Sequence, residues 1–502
     1  MSTTSVVVLS DVHIGNGART TWYQQSVHEP YLIAALEAIA KRGDVQELIF
    51  LGDLFDLWTY PPSVRPPSVA DIVAANPNTL GPGGALARAI AAVPRASLLL
   101  GNHDGTLTQE DIATLQAAVG PIALVESVYV RTGSTGAKTV FSHGHLWTMF
   151  NAPDETSPWN TLPVGHFVTR AFAYEMANTL SAGQTVADLR NMGAPNGFSL
   201  LPFLESIDPT REPDIVELLL NDVCKVTLMP ESLPIVLPDG STTTVADAKR
   251  IYADLFTRWV AREGGSVLNA GRAALADGYG EYLAWFAQRL AIQHSADLVV
   301  MGHTHTPIGG VSISPINYFN SGFECASIPD TPPKEFTFTV VDLDTAAAEI
   351  FQVTKGASGY EITESPARPL DSVVQWPALD YSCYIRIENQ TSQPLTSSAL
   401  HVDEGAWVVP PPTTIAPGER VDAWLQDRVG PYGSGGGVTY AQGAQSLAFR
   451  FSCPTGLSAN TASGPGDDFV ARSGSGAWQS RGQVPHWGHP LQVRFTVEGR
   501  DA

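Results

Sequence analysis

Five short clusters of Asp, His, Asn and Gly hold the residues of this 502-residue chain that are best suited to chemistry. In chain order they are Asp11-Val12-His13, Gly52-Asp53-Leu54-Phe55-Asp56, Gly101-Asn102-His103-Asp104, His143-Gly144-His145 and Gly302-His303-Thr304-His305. Two metal ions about 3.5–4 Å apart need roughly seven protein ligands, one of them a shared carboxylate, and the clusters supply that number. Mixed carboxylate and imidazole donors suit Mn, Fe, Zn or Co better than Ca or Mg. The clusters therefore predict a site for two divalent or trivalent metal ions.

The segments before the clusters predict how these residues are brought together. Each cluster follows a short apolar run, namely 6–9, 48–51, 98–100, 140–141 and 298–301. Such runs are typical of strands buried on both faces. Helical patterns at 31–41 and 84–93 lie between them, which predicts a layered α/β sheet with its ligand site at the carboxyl ends of the strands. In extended backbone, residues two apart point the same way, so Asp11 and His13 are expected to converge, as are His303 and His305.

The five motifs, in this order, resemble the calcineurin-like metallophosphoesterase superfamily over roughly residues 5–350. The resemblance implies a layered β-sandwich core flanked by helices, with Asp53 bridging two metals and a hydroxide between the metals as the nucleophile. The ligands it implies for one metal are Asp11, His13, Asp53 and His305. Those it implies for the other metal are Asp53, Asn102, His143 and His303.

The same resemblance implies catalytic roles for residues that are not ligands. His103 is expected beside the substrate, where it protonates the leaving oxygen, because an imidazole titrates near the working pH. Asp104 is expected to be catalytic with it, by fixing its tautomer and charge. Asp56 is expected to contact one of the metal ligands without binding a metal itself. His145 either contacts the substrate phosphate or supports the site.

Residues around the motifs separate the branches of the superfamily. Purple acid phosphatases carry Gly at the position of His13 and Tyr at that of Asp56, and protein Ser/Thr phosphatases carry an Asp-Arg-Gly stretch where this chain continues with Leu57 and Trp58. The first two motifs look closer to the bacterial UDP-2,3-diacylglucosamine hydrolase branch, which cleaves a pyrophosphate linked to a lipid. This resemblance implies a phosphate-ester substrate that is a small molecule or a lipid.

Patterning divides the chain into an N-terminal metallophosphoesterase domain (1–354), a linker (355–380) and an accessory β-sandwich (381–502). The insertion 146–296 is rich in helical pattern, including one apolar stripe along 248–260. We expect it to form a helical cap over the substrate; the alternative is a helical subdomain packed to the side. The linker region is rich in Pro, Gly and Ser.

The C-terminal part alternates apolar and polar residues between turn segments, which predicts an all-β sandwich. Its segments 387–391, 405–407 and 415–418 resemble aegerolysin-like β-sandwich proteins, which bind membrane lipids. This implies peripheral membrane or glycan contact, with a purely structural role as the alternative. Trp424, Trp478 and Trp487 would lie either at that contact surface or in the core.

Composition narrows the classes of partner and location. The net charge of −21 repels polyphosphate backbones, so no nucleic-acid partner is expected. The four cysteines, Cys224, Cys325, Cys383 and Cys453, have no zinc-knuckle spacing, and for the last two buried thiols are favoured over a bridge. A strand predicted at residues 6–9 leaves no room for a signal peptide, and no apolar run is long enough to span a membrane, so a cytoplasmic protein is expected.

Together these features predict an enzyme, a dinuclear-metal phosphoesterase that hydrolyses a phosphodiester or a pyrophosphate. A phosphomonoesterase is the alternative within the same chemistry. An alternative of another class is a lipid- or glycan-binding protein whose hydrolase domain is vestigial, since single Asp and His residues at strand ends often serve only as caps and turn formers. The complete ligand set favours the enzyme, because so many buried like charges would be costly without metal.

Overall fold

The computed structural model describes residues 5–189, 215–277, 280–313, 317–322, 336–373, 380–428 and 432–499. We call residues up to 373 the N-terminal domain and residues 380–499 the C-terminal sandwich. The strands of the N-terminal domain are β1 (Ser5–Leu9), β2 (Val45–Leu51), β3 (Arg95–Leu99), β4 (Ala123–Leu124), β5 (Tyr129–Thr132), β6 (Lys138–Phe141), β7 (Ile235–Val236), β8 (Thr242–Thr243), β9 (Leu298–Met301), β10 (Ile308–Gly309), β11 (Val311–Ile313), β12 (Asn317–Asn320), β13 (Phe336–Asp342), β14 (Ala347–Gly356), β15 (Gly359–Glu364) and β16 (Leu370–Ser372).

All the described α-helices belong to the N-terminal domain. They are α1 (Gln25–Lys41), α2 (Val69–Ala75), α3 (Pro77–Leu80), α4 (Ala85–Ala92), α5 (Gln109–Val119), α6 (Val164–Thr179), α7 (Ile215–Thr227), α8 (Val245–Ile251), α9 (Leu255–Arg262), α10 (Val267–Ala276) and α11 (Gly280–His294). Ser68 and Thr108 begin α2 and α5 with capping boxes, in which each hydroxyl accepts from the third helical backbone N–H. None of these helices is both long and apolar enough to cross a membrane.

Two sheets form the centre of the N-terminal domain, in the orders β15-β14-β13-β1-β2-β3-β4 and β10-β12-β9-β6-β5. Strand β1 shows how alternation fills both faces of the first sheet. Val6 and Val8 pack between the two sheets, whereas Val7 and Leu9 pack against the helices α1 to α5. Burying such side chains stabilises the fold by roughly 1.5–3 kcal/mol each relative to exposure. The apolar runs before the motifs are therefore continuous because both strand faces are covered.

The insertion 146–296 supplies the layer on the outer face of the second sheet. Val299 and Met301 of β9 point into its core, while Leu298 and Val300 point toward the first sheet. The stripe along 248–260 is split into α8 and α9 by a turn at 252–254, so it is two short helices and not one. Residues 190–214 and 278–279 of the insertion lie outside the described residues.

The segment 355–380 contains regular structure where the sequence indicated a linker. Strand β14 ends at Gly356, and β15 pairs with β14 as the last strand of the first sheet. Strand β16 pairs in parallel with β11. Residues 374–379 lie outside the described residues, and the sandwich follows them.

Two five-stranded sheets form the C-terminal sandwich, as the alternating pattern predicts, in the orders β19-β21-β17-β26-β25 and β20-β18-β22-β23-β24. Their bounds are β17 (Cys383–Gln390), β18 (Leu395–Glu404), β19 (Ala406–Val409), β20 (Thr414–Ile415), β21 (Arg420–Gln426), β22 (Ser434–Gln442), β23 (Gln445–Cys453), β24 (Thr461–Ser463), β25 (Phe469–Ser473) and β26 (Leu491–Glu498). Cys383 and Cys453 are buried free thiols, as is Cys224, and Cys325 lies outside the described residues.

One face of the sandwich packs directly on helix α11. Ile385 and Leu425 point into the sandwich core, but Tyr384 and Trp424 on the same strands point outward into the core of the insertion. The Trp424 ring lies 5.2 Å from that of Trp285 on α11. Trp424 is therefore core, whereas Trp478 is half-buried and Trp487 is 54% exposed.

Candidate metal centre

The seven predicted ligands lie together where five strands end. Asp11 and His13 follow β1, Asp53 follows β2, Asn102 follows β3, His143 follows β6, and His303 and His305 follow β9. Six of them form two groups whose donor atoms lie within 4.8 Å of one another. The first group, group A, is Asp11, His13 and His305, and the second, group B, is Asp53, His143 and His303.

In group A the imidazoles face each other across a short gap. The Nε2 atoms of His13 and His305 are 3.1 Å apart. The His305 Nε2 is also 3.7 Å from Asp11 Oδ1. Two ring nitrogens and a carboxylate oxygen aimed at one point are a donor set that fits a transition metal ion.

Group B is completed by the seventh residue, Asn102. Its Oδ1 lies 3.3 Å from His143 Nε2 and 3.0 Å from His303 Nδ1. The carboxylate of Asp53 connects the two groups, because its Oδ2 is 3.2 Å from His143 Nε2 and 3.8 Å from His13 Nε2. Asp53 is thus placed to donate to ions on both sides.

The backbone at these ligands differs from the extended form expected from the spacing. The φ angles are positive at five ligands: Asp11 (56°), His13 (55°), Asp53 (52°), His303 (74°) and His305 (58°). The ligand pairs two residues apart do converge, but through left-handed turns at each residue and not through strand alternation. Non-glycine residues in such strained conformations cost about 1–3 kcal/mol each and cluster at functional sites.

Glycines in the motifs provide the space that the ligands occupy. A Cβ on Gly101 would lie 2.2 Å from Asp53 Oδ1, and one on Gly52 would lie 2.4 Å from the His143 ring. Each glycine is therefore required by a candidate ligand that follows another strand. The sequence alone indicates only that these glycines let the backbone pass close to a ligand. The structure shows that each leaves room for one particular side chain.

Burial and electrostatics at the centre fit bound cations. Asp11 Oδ2 and His13 Nδ1 are buried and have no hydrogen-bond partner among the described residues. Burial holds the pKa of His13 well below its usual value, so its ring is neutral and able to donate to a metal. Burial disfavours the protonated form of His143. The Asp53 and Asp11 carboxylates outweigh this effect of burial, and the pKa of His143 is raised to about 9. Those carboxylates attract positive charge, which a metal ion would supply.

His103 lies at the boundary of group A and is held by its neighbours. Its ring stacks on Trp58 at 4.4 Å, and its backbone N–H donates to Asp53 Oδ1 at 2.8 Å. Its Nδ1 is 3.1 Å from Asp56 Oδ1. A donor atom of its ring also falls within 4.8 Å of donors of His13 and Asp53, so the ring faces the centre.

The partner expected for His103 needs correction, because Asp56 and not Asp104 contacts its Nδ1. Asp104 accepts instead from the backbone N–H groups of Gly101 (2.7 Å) and Leu54 (2.8 Å). Strand-end loops leave such N–H groups without ladder partners, and a buried carboxylate satisfies several at once. Burial and the Asp53 charge raise the pKa of Asp104 to about 7.

Part of the chain matches a known protein family. Residues 4–183 match the family model described as calcineurin-like phosphoesterase. The matched range holds the first four motifs and ends before the fifth, at residues 302–305. Together with the donor groups, this match supports a metal-dependent phosphoesterase that acts on phosphate esters.

No curated protein matches the chain. Among solved structures it is similar to wild-type Vps29 from Entamoeba histolytica complexed with Zn²⁺, at 10% identity over 72% of this chain and 98% of that chain, with a TM-score of 0.28.

The insertion places residues against the phosphoesterase centre that no sequence motif marks. The Nε2 atom of His303 points away from group B. It lies 3.3 Å from Thr148 Oγ1 and 3.8 Å from Asp277 Oδ1. Asp277 accepts from Asn151 Nδ2 at 2.8 Å, and Asn151 Oδ1 lies 3.4 Å from Asn102 Nδ2. These residues form a ring of contacts around group B. Their spacing in the sequence does not predict these contacts.

Two further insertion residues lie behind the His103 side of the centre. His166 of α6 is buried 5.5 Å from the Trp58 ring, and Arg170 donates to the carbonyl oxygens of residues 61, 62 and 64. Trp22, on the loop after β1, lies 4.6 Å from the His13 ring. His145 is buried with its ring 5.3 Å from His143 and belongs to none of the donor groups among the described residues.

Proposed function

We propose that the chain is a phosphoesterase that binds two metal ions and hydrolyses a phosphodiester or pyrophosphate. The observation that carries this is the meeting of two donor groups at a single carboxylate, that of Asp53. We assign Asp11, His13, Asp53 and His305 to one ion. The ligands assigned to the other are Asp53, Asn102, His143 and His303. When bound, the ions would supply the hydroxide nucleophile and neutralise the phosphoryl oxygens.

The residues around the ions position and move a proton. His103 is assigned as the general acid, whose ring delivers the proton to the leaving oxygen. Asp56 accepts from Nδ1, which leaves the proton on the other nitrogen available at the centre and stabilises the charged ring. Trp58 fixes the plane of the ring by stacking. Asp104 acts indirectly, because its hydrogen bonds to backbone N–H groups hold the loop that carries Asp53.

The nature of the ions and of the substrate is part of this proposal. Imidazole-rich donor sets favour Mn, Fe or Zn over Mg or Ca. The substrate is a small molecule or a lipid with a diester or pyrophosphate linkage, for which the resemblance to the UDP-2,3-diacylglucosamine hydrolase branch is the sequence argument. The C-terminal sandwich would make the lipid or glycan contact at a membrane surface, and nucleic acid is not a partner.

Metal-reconstituted protein provides the test. After chelation and addition of Mn, the hydrolysis of bis-p-nitrophenyl phosphate and of p-nitrophenyl phosphate is measured, with bound metal counted by elemental analysis. We expect two ions per chain and faster cleavage of the diester. Asp403→Asn, an exposed change on the sandwich, is a control that should leave both results unchanged.

Two other outcomes would favour different functions. Faster monoester cleavage would identify a phosphomonoesterase that uses the same centre. Two bound ions with no hydrolysis of either ester, nor of any diester in a broad panel, would favour a binding protein with a vestigial hydrolase domain.

A further inference from the structure

Helix α6 of the insertion buries two polar side chains behind His103. His166 and Arg170 lie on the same face of this helix, because they are four residues apart. Both side chains are fully buried. Neither ring nitrogen of His166, nor the Nε and Nη1 atoms of Arg170, has a hydrogen-bond partner among the described residues. Buried polar atoms without a partner lower the stability of a fold, so packing alone does not explain why α6 carries these two residues.

Arg170 holds the end of the loop that follows the second motif. Its Nη2 donates to the carbonyl oxygens of Pro61, Pro62 and Val64, at 2.9, 3.1 and 2.7 Å. The Pro62 carbonyl also accepts from the backbone N–H of Val236 in β7, at 2.8 Å. Because α6 and β7 both belong to the insertion, the insertion fixes where this end of the loop lies.

The start of the same loop contacts His103. The Trp58 ring stacks on the His103 ring with 4.4 Å between their centroids, and Asp56 Oδ1 lies 3.1 Å from His103 Nδ1. The backbone N–H of Trp58 donates to that Asp56 oxygen at 2.9 Å, so the two residues are held as one unit. His166 lies against Trp58 as well, with ring centroids 5.5 Å apart and the ring planes nearly perpendicular. Trp58 therefore contacts both His103 and α6.

Stability alone does not account for a guanidinium at position 170. Among the described residues, the hydrogen bonds of Arg170 all go to backbone carbonyl oxygens, and none goes to a carboxylate. Burial lowers the pKa of Arg170 to about 10, which leaves the group charged at neutral pH. Replacing a buried charge with an apolar side chain of similar size is often neutral or stabilising. The charge is therefore better explained by the loop that it holds in place than by the stability that it adds.

We propose that Arg170 is a positioning residue, which acts through the loop 56–64 to keep His103 in the orientation that delivers a proton to the leaving oxygen. His166 supports the same loop by packing on Trp58. This inference rests on the proposed function, in which His103 is the general acid. It extends that function, because it gives the insertion a part in catalysis that needs no contact with the substrate. A shift of about 1 Å in a catalytic group can lower the rate roughly 10²-fold.

Two esters with different leaving groups test the orientation of His103. Methyl phenyl phosphate has a poor leaving group that needs the proton, whereas methyl p-nitrophenyl phosphate has a good one that needs it less. For Mn-reconstituted Arg170→Met we expect kcat to fall about 10–100-fold with the phenyl ester and less than about threefold with the nitrophenyl ester. KM should change little for either. Equal losses on the two esters, or no loss on either, would overturn the proposal.

Further variants separate positioning from a purely structural role. Arg170→Lys keeps a charged group with three donors, so it should restore most of the lost rate. In the His103→Gln background, Arg170→Met should cause no further loss with the phenyl ester, because both changes act on the same step. Additive losses in that double variant would contradict the proposal. If Arg170→Met does not fold, Arg170→Gln, which keeps a donor, takes its place.

A matched control comes from another helix. Arg88 of α4 also donates to a backbone carbonyl, that of Gly83 at 2.7 Å, but its side chain is exposed. Arg88→Met should leave the ratio of the two rates as it is in the parent. A change of this ratio as large as that in Arg170→Met would mean that the effect does not come from the loop 56–64.

Unfolding and crystal structures distinguish failure of this inference from failure of the proposed function. Arg170→Met should melt within about 3 °C of the parent, because the cost of burying the guanidinium is removed. In its crystal structure the contacts of His103 with Asp56 and Trp58 should be displaced. If the parent hydrolyses neither ester, the proposed function fails, and displacement of His103 in the variant decides the inference. If the parent is active but the variant keeps both the rate ratio and the His103 contacts, the function stands and the positioning role is wrong.

Discussion

The metal centre and the contact between α11 and the sandwich both bury charged groups, but they compensate them differently. At the contact, Asp380 accepts from the hydroxyl of Tyr384 at 2.9 Å and from the backbone N–H of Ser382 at 3.0 Å. The Tyr384 hydroxyl accepts in turn from Gln288 Nε2 at 2.6 Å. At the centre, by contrast, Asp11 Oδ2 and His13 Nδ1 find no partner among the described residues, and like donors face each other.

The indole N–H groups of Trp285 and Trp424 at the contact also lack a partner among the described residues, so the difference concerns the carboxylates: Asp380 is satisfied within the chain, and Asp11 Oδ2 is not. Buried polar groups that are satisfied within the chain stabilise one packing arrangement, whereas buried donors left facing each other require something from outside. Changes at the centre should therefore remove ions and activity, and changes at the contact should lower stability alone.

The largest effect is expected from Asp53→Asn, since Asp53 Oδ2 reaches both donor groups. Loss of the shared carboxylate should weaken both metal sites and remove about 4 kcal/mol of transition-state stabilisation, roughly 10³-fold in kcat/KM. Elemental analysis and diester hydrolysis measure the two effects. Unchanged metal content would show that Asp53 does not connect the sites.

His103→Gln should separate catalysis from metal binding. We expect two ions to remain while hydrolysis of esters with poor leaving groups falls about 10²–10⁴-fold, because the proton donor is lost. Esters with a p-nitrophenolate leaving group need less protonation and should be affected less. Loss of the ions in this variant would make His103 a ligand and reverse the assignment.

Asp277→Asn examines the ring of contacts that the insertion makes around group B. Asp277 Oδ1 lies 3.8 Å from His303 Nε2, so its charge favours one orientation of the imidazole. We expect metal affinity to fall about 10–100-fold at one of the two sites, as seen in metal titrations, with the other site unaffected. Asp254→Asn, an exposed acid on the same insertion, is the matched control.

Tyr384→Phe probes the contact between α11 and the sandwich. It removes a donor to Asp380 and the acceptor for Gln288, which should lower the free energy of unfolding by about 1–3 kcal/mol. Thermal or urea unfolding measures this, and kcat/KM of the folded protein should remain within about twofold of the parent. A large loss of turnover without a loss of stability would mean that the contact participates in catalysis.

Asp427→Asn should change the stability of the fold by an amount that depends on pH. Burial and the nearby Asp380 raise the pKa of Asp427 from 3.8 to about 7. Between these values the folded chain keeps a proton that the unfolded chain releases, so this residue makes the free energy of unfolding fall as pH rises from about 4 to 7. The variant lacks that fall, and its gain in melting temperature should be larger at pH 8 than at pH 5.

The apolar pattern predicts the strands correctly where both strand faces are covered by other layers of the fold. The runs before Asp11 and Asp53 are apolar at every position because helices cover one face and the second sheet covers the other. The apolar stripe along 248–260 does not predict its division into two helices, because the stripe stays in phase across the turn at 252–254. Strand β15 is hard to predict because only Tyr360 and Ile362 mark it with large apolar side chains, and these are half-buried while the other face of the strand is exposed.

The candidate metal ligands can be predicted from the sequence because each carries a side chain suited to a metal and follows a strand. Thr148 and Asp277, which contact His303 from outside, cannot be predicted in this way. They are ordinary polar residues in the sequence, and only the folding of the insertion brings them to His303. Asp104 follows His103 directly in the sequence, but its carboxylate accepts from backbone N–H groups of the loop, and Asp56 contacts the His103 ring instead. Long-range placement, which depends on packing and not on local pattern, is the information that was lacking.

The pairing of β1 has a consequence for synthesis of the chain on the ribosome. Residues 5–8 at the start pair with residues 339–342 of β13, and His13 meets a partner 292 residues later, His305. At about 5–20 residues per second, His13 waits roughly 15–60 s before His305 is made. During that interval the early strands expose one apolar edge and a half-built cluster of acids and imidazoles. A nascent chain of this protein should therefore depend on chaperones until β13 emerges, and should acquire its metals only after that strand is in place.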